Sequence, residues 1–149
     1  MMTVSDKAGP QLVVRRTIAA PREQVFNAWL DSEAMAHWMR AGAFDNSIVT
    51  VDPRVGGAFR VVMMPKDREP VEHRGEYLRI EPPTLLSFTW ISKNTDHWPS
   101  EVTIEFHEQG DGTELVLTHR GLPDKAVNGH RAGWTEILDG LERRLTPNG

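Results

Sequence analysis

The 149-residue sequence contains no cysteine. That excludes disulfides, thiolate metal sites and a cysteine nucleophile, and it fits a reducing, cytoplasmic setting. Long apolar runs are also missing. Stretches such as Val61-Val62-Met63-Met64 fall far short of the roughly 20 residues that a bilayer-spanning helix needs, so no membrane insertion is expected. Cations never run beyond the pairs Arg15-Arg16 and Arg143-Arg144, and the formal net charge is −4. A nucleic-acid footprint needs clustered cations, so no nucleic-acid partner is expected. Arg143-Arg144 suit the last turn of a helix, where they oppose its dipole. There is no G-x-S-x-G elbow, phosphate-binding glycine loop, dinucleotide fingerprint or H-E-x-x-H zinc motif. A metal site needs three or four convergent ligands, and of the six histidines only His73, His119 and His130 could meet. Neither a metal nor a cofactor is expected.

What is present suits one globular domain: 39% of residues are hydrophobic and 26% charged. Met1 to Pro10 has no apolar core, so it is expected to be a disordered lead-in rather than a secretory signal. Gln11 to Ala19 alternates around Leu12, Val14 and Ile18 and predicts a strand. Pro21 suits a helix start, and Val25, Phe26, Trp29 and Leu30 make a stripe on a short helix. Asp31 and Ser32 can cap a second short helix from Glu33 to about Trp38. Strands are then expected at Ser47–Val51, Ala58–Met64, Val71–Ile80, Leu86–Trp90, Val102–Phe106 and Leu115–His119. Their turns fall at Gly56-Gly57, Pro65–Pro70, Pro82-Pro83, the polar loop Lys93–Pro99 and Gly110-Asp111-Gly112. The spacing of Trp134, Ile137, Leu138, Leu141 and Leu145 predicts one amphipathic helix over 124–145, about 33 Å long. A helix with that stripe must lie across a curved antiparallel sheet.

The segments T-I-A-A-P-R-E-Q-V-F-N-A-W, V-G-G-A-F-R, G-E-Y-L-R-I-E-P-P-T-L-L-S-F-T-W, T-E-L-V-L-T-H-R-G-L-P and H-R-A-G-W-T-E-I-L-D-G-L occur in that order. As a set they resemble the START-like (SRPBCC) superfamily, in the branch named after the activator of the heat-shock-protein-90 ATPase. The resemblance covers about residues 11 to 145. It implies an α+β helix-grip (START-like, Bet v 1-like) domain over 11–147. A curved antiparallel sheet of about six to seven strands would wrap round a long C-terminal helix, with two short helices after strand 1 and an elongated hydrophobic cavity.

The expected function is binding of a hydrophobic or amphipathic small molecule between helix and sheet, in a stress-related role. Two alternatives stand beside it. One is a cofactor-free enzyme of cyclase or hydrolase type using a cavity histidine; the other is a co-chaperone-like interaction module, with chaperone or homodimer contacts. The expected cavity lining is Trp38, Phe59, His73, Tyr77, Phe88, Trp90, Val102, Ile104, Leu117, His119, His130 and Trp134. His119 shares a face with Leu115 and Leu117 and should point inward, as a polar group of the cavity or as a buried, satisfied histidine. His73 and Tyr77 share a face across Gly75, where a bulge or bend is expected; that face is either the cavity's or the outer one. Trp134 is either core packing or a stacking plate, and Gly133 beside it would let the helix approach a strand or leave room for a ligand. Trp38 and the pair His97-Trp98 are candidates for the mouth, with Trp98 a lid or partner contact. Glu136, Asp139 and Glu142 are assigned to the solvent face of the last helix, where they could dock a partner.

Overall fold

In the computed structural model, residues 12–40, 44–65 and 69–146 are described. The expected lead-in, Met1 to Pro10, and the middle of the Pro65–Pro70 loop lie outside them. Strand β1 (Leu12–Ile18) buries Leu12, Val14 and Ile18 on one face by simple alternation. Helix α1 (Arg22–Ala28) follows, with Pro21 at its N-cap, and buries Val25, Phe26 and Ala28. The Asp31 carboxylate accepts from the backbone N–H groups of Glu33 and Ala34 and so starts helix α2 (Ser32–Trp38). Six strands come next: β2 (Phe44–Val51), β3 (Ala58–Pro65), β4 (Val71–Glu81), β5 (Leu85–Trp90), β6 (Ser100–Gln109) and β7 (Gly112–Arg120). Helix α3 (Val127–Leu145) ends the fold.

The seven strands form one antiparallel sheet in the order β1-β7-β6-β5-β4-β3-β2, so only the β1-to-β7 pairing joins strands distant in sequence. This is the helix-grip architecture. Helix α3 packs along β1 and α2. Its buried stripe is Trp134, Ile137, Leu138 and Leu141, each worth roughly 1.5–3 kcal/mol when taken out of water. Gly140 is where α3 crosses α2: a Cβ there would sit 3.3 Å from the Trp38 carbonyl oxygen.

Three expectations need correction. The last helix begins at Val127, not Asp124, because Asp124–Ala126 forms a separate 3-10 turn that Ala126, at φ −98° and ψ −7°, joins to α3. At 19 residues α3 is about 28 Å long. Strand β2 starts at Phe44 rather than Ser47, with a register break between Phe44 and Asn46. Asp139 and Glu142 are not merely a solvated face. The Arg16 guanidinium, on the inward side of β1, reaches them at 2.6 and 2.9 Å. Burial alone would lower the Arg16 pKa, but the two carboxylates outweigh it and raise it.

Candidate functional site

Helices α1 and α2 fill half of the sheet's concave face. Trp29, the residue that caps the end of α1, and Trp38, the last residue of α2, meet edge to face with centroids 4.8 Å apart. Around them Phe59 packs on Tyr77 and Phe88 at 5.4 and 5.2 Å. The gap left among Trp29, Phe59, Tyr77, Phe88 and their neighbours is only about 10 Å³, room for one water at most. The other half of the concave face lies open under the N-terminal part of α3. There a cleft of about 760 Å³ is lined by Met63 of β3, Val71 and His73 of β4, Trp90 of β5, and His130, Gly133, Trp134 and Ile137 of α3. Glu69, Lys93, Asn94, Asp96 and Lys125 rim it, and Ala126 and Gly129 complete the helix side. Gly129 borders open space, since a Cβ there would meet nothing within 4 Å.

The rim is shaped by two 3-10 turns. One, Lys93–Thr95, is held by a reciprocal cap in which Asn94 N–H donates to the Ser92 hydroxyl and Ser92 N–H to the Thr95 hydroxyl. Asp96 and His97 then take φ of 56° and 61°. Lys125, on the second 3-10 turn, pairs with Asp96 at 3.4 Å and ties the two sides of the mouth together.

The aromatic floor is continuous. His73 stacks on Trp90 with centroids 4.8 Å apart, and Trp90 meets Trp134 at 4.9 Å. His73 is on the inner face, and its pKa is pushed down to about 4, chiefly by burial and then by the charge His130 would carry. Its Nδ1 is enclosed without a hydrogen-bond partner. Gly75, two residues on, answers a close approach rather than a bulge: a Cβ would lie 1.9 Å from the Thr89 carbonyl oxygen and 2.7 Å from the Phe59 ring.

His119 is fully buried behind that floor. The Trp134 indole N–H donates to His119 Nδ1 at 2.9 Å. An indole can only donate, so Nδ1 holds a lone pair and the proton of the neutral ring sits on Nε2. That Nε2–H donates to the Ser100 hydroxyl at 2.7 Å, which in turn donates to the Trp90 carbonyl at 2.6 Å. Every member of the relay is satisfied. Burial, then the neighbouring His130, hold the His119 pKa well below its usual value. His130 lies edge-on to His119 at 5.1 Å, and its Nδ1–H donates to the Ala126 carbonyl at 2.9 Å. Burial lowers the His130 pKa, and the Ala126 carbonyl offsets part of the effect.

Of the twelve expected lining residues, the cleft therefore brings together His73, Trp90, His130 and Trp134. Trp38, Phe59, Tyr77, Phe88, Val102, Ile104, Leu117 and His119 sit instead in the packed interior. They face inward as their alternation requires, but α1, α2 and the relay occupy the space before them. Met63, Val71 and Ile137 were missed, although their alternation and helical spacing place them on the same faces as His73 and Trp134. At the mouth, Lys93, Asn94 and Asp96 line the rim where His97 and Trp98 were expected, and Trp98 is 55% exposed. The S-x-x-T spacing of Ser92 and Thr95 was the available signal for that turn. Among the described residues, no group of three or more His, Cys, Asp or Glu side chains could hold a metal ion, and no helix is long and apolar enough to cross a membrane.

The model of the family described as activator of Hsp90 ATPase homolog 1-like protein matches residues 19–146, which span both helices of the closed half and every cleft residue. The chain belongs to this family. Solved structures agree with the AHSA1-like assignment. An AHSA1-like protein from Aeromonas hydrophila is 29% identical at a TM-score of 0.74, with 90% of each chain covered. A protein from Chromobacterium violaceum is 25% identical at 0.81, covering 91% of this chain and 96% of its own. An HSP90 activator from Plasmodium falciparum, 24% identical at 0.73 and covering 92% and 96%, shares the fold. Among curated proteins none matches the sequence significantly. In this AHSA1-like domain the cleft presents an aromatic floor, imidazoles whose charged forms burial disfavours, and a charged rim.

Proposed function

We propose that this domain binds a hydrophobic or amphipathic small molecule in the cleft between α3 and strands β3 to β5. The observation that carries the reading is the cleft itself. At about 760 Å³ it lies within the range of small-molecule sites, and the rings of Trp90 and Trp134 with Met63, Val71 and Ile137 supply its apolar area. His73 and His130 supply polar atoms within the cleft, and Glu69, Lys93, Asn94, Asp96 and Lys125 supply polar groups at its rim. The enzyme reading finds less support. His119, the sharpest acid–base candidate of the sequence, has both ring nitrogens engaged in structural hydrogen bonds.

Titration with fatty acids, aromatic compounds and a hydrophobic dye, read by tryptophan emission, tests the proposal. A saturable change that Met63→Trp weakens by filling the cleft is the expected result; no saturable change with any class would refute it. The family match supports a second reading, contact with a chaperone through the outer surface. It predicts stimulation of an Hsp90 ATPase by the purified domain, unaffected by Met63→Trp.

A further inference from the structure

Lone pairs, rather than charges, set the chemistry of the cleft floor. The Ala126 carbonyl can only accept, so the proton of the neutral His130 ring is on Nδ1, and Nε2 is left with an unshared pair. No group among the described residues donates to it. His73, seated on Trp90 and more than nine-tenths buried, is likewise neutral and has an enclosed Nδ1 without a partner. The side chains that could neutralise an ion lie at the exposed rim, and Asp96 is already engaged by Lys125.

Resting on the binding function proposed above, we infer that the natural ligand class is neutral, hydroxyl-bearing aromatic molecules. The ring system lies against Trp90 and Trp134, and the hydroxyl donates its hydrogen to Nε2 of His130. The alternatives fit worse. A carboxylate only accepts, so it would face the unshared pair of His130 or require that ring to take up a proton that its burial disfavours. An ammonium group donates well, but it would have to leave water for a floor that offers no carboxylate. A plain hydrocarbon fills the space and leaves the Nε2 pair unanswered.

Three probes of nearly equal size separate these cases: naphthalene, 2-naphthol and 2-naphthoate, titrated calorimetrically and by tryptophan emission at pH 7.5. The expected result is 2-naphthol binding about five- to tenfold more tightly than naphthalene, the gain of one hydrogen bond, with 2-naphthoate weaker than 2-naphthol. His130→Phe keeps a ring on the cleft wall and should bring the ratio of 2-naphthol to naphthalene affinity close to one. Nitrogen-15 spectra of the free protein should show the His130 proton on Nδ1. Tightest binding by 2-naphthoate, a preference for 2-naphthol that survives in His130→Phe, or a proton on Nε2 would overturn the inference. Equal, saturable binding of naphthalene and 2-naphthol would overturn it and leave the small-molecule function standing. No saturable binding by any probe would count against both.

Discussion

Acid should unfold this domain earlier than its carboxylates alone would dictate, and His73 makes the effect calculable. Its pKa falls from an ordinary 6.5 to about 4 on folding. Between those values the unfolded chain binds the proton and the folded chain does not, so stability rises with pH across the window and is lost as pH falls. At pH 5 the acid is 1.5 units below the free value, which at 1.36 kcal/mol per unit is a loss of about 2 kcal/mol relative to pH 7.5. His119 and His130 shift in the same direction and steepen the decline. Against a total of about 5–15 kcal/mol for a domain of ordinary stability, such a loss is large. Urea unfolding followed by circular dichroism at half-unit steps from pH 7.5 to 4.5 measures it. His73→Phe retains a ring on Trp90 and removes both the titration and the unpartnered Nδ1. It should lower the pH dependence by about 2 kcal/mol at pH 5 without weakening the protein at pH 7.5. A stability flat between pH 7.5 and 5, or unchanged pH dependence in His73→Phe, would refute the argument.

Other expectations follow from single contacts. Trp134→Phe keeps an aromatic ring on the cleft floor but leaves His119 Nδ1 without its donor; chemical denaturation should show a loss of about 2 kcal/mol, more than a surface tryptophan change at Trp98 gives. Gly75→Ala would force a Cβ onto the Thr89 carbonyl, and the β4–β5 pairing should yield. A loss above about 2 kcal/mol is expected, and amide exchange should rise first in those strands. Arg16→Met should cost about 1 kcal/mol in low salt, since Asp139 and Glu142 are 44% and 39% exposed, and less in 1 M salt. An unchanged loss at both salt concentrations would assign the role of Arg16 to packing.

Alternation and helical spacing carried most of the fold. The period-2 faces of β1 and β4 to β7 and the stripe from Trp134 to Leu141 are properties of neighbouring residues, which the chain displays directly. The candidate site was legible only as far as the direction of each side chain. Phe88 and Trp90 share a strand face, and both point inward, yet only Trp90 reaches the cleft. What separates them is the placement of α1 and α2, whose Trp29 rests within 6.4 Å of Phe88, and no local pattern in β5 encodes that. His119 raised the same difficulty. Its inward direction was readable, whereas its two partners come from a strand 19 residues earlier in the chain and a helix 15 residues later. The rim was least visible, because Lys93, Asn94 and Lys125 lie on two 3-10 turns with no hydrophobic periodicity to register them.

The relay from Trp134 through His119 and Ser100 to the Trp90 carbonyl has a mechanical consequence. Its two ends belong to the two tryptophans whose rings meet on the cleft floor, so it fastens that seam from the far side, out of reach of solvent. A molecule arriving in the cleft cannot part the helix from the sheet along this line without breaking buried hydrogen bonds. Whatever widening accommodates a guest must happen at the opposite lip, where the start of α3 and the two 3-10 turns are joined by the exposed Lys125–Asp96 pair. The cleft thus resembles a clamshell with a riveted spine, fastened at its floor by buried hydrogen bonds and at its rim only by an exposed ion pair.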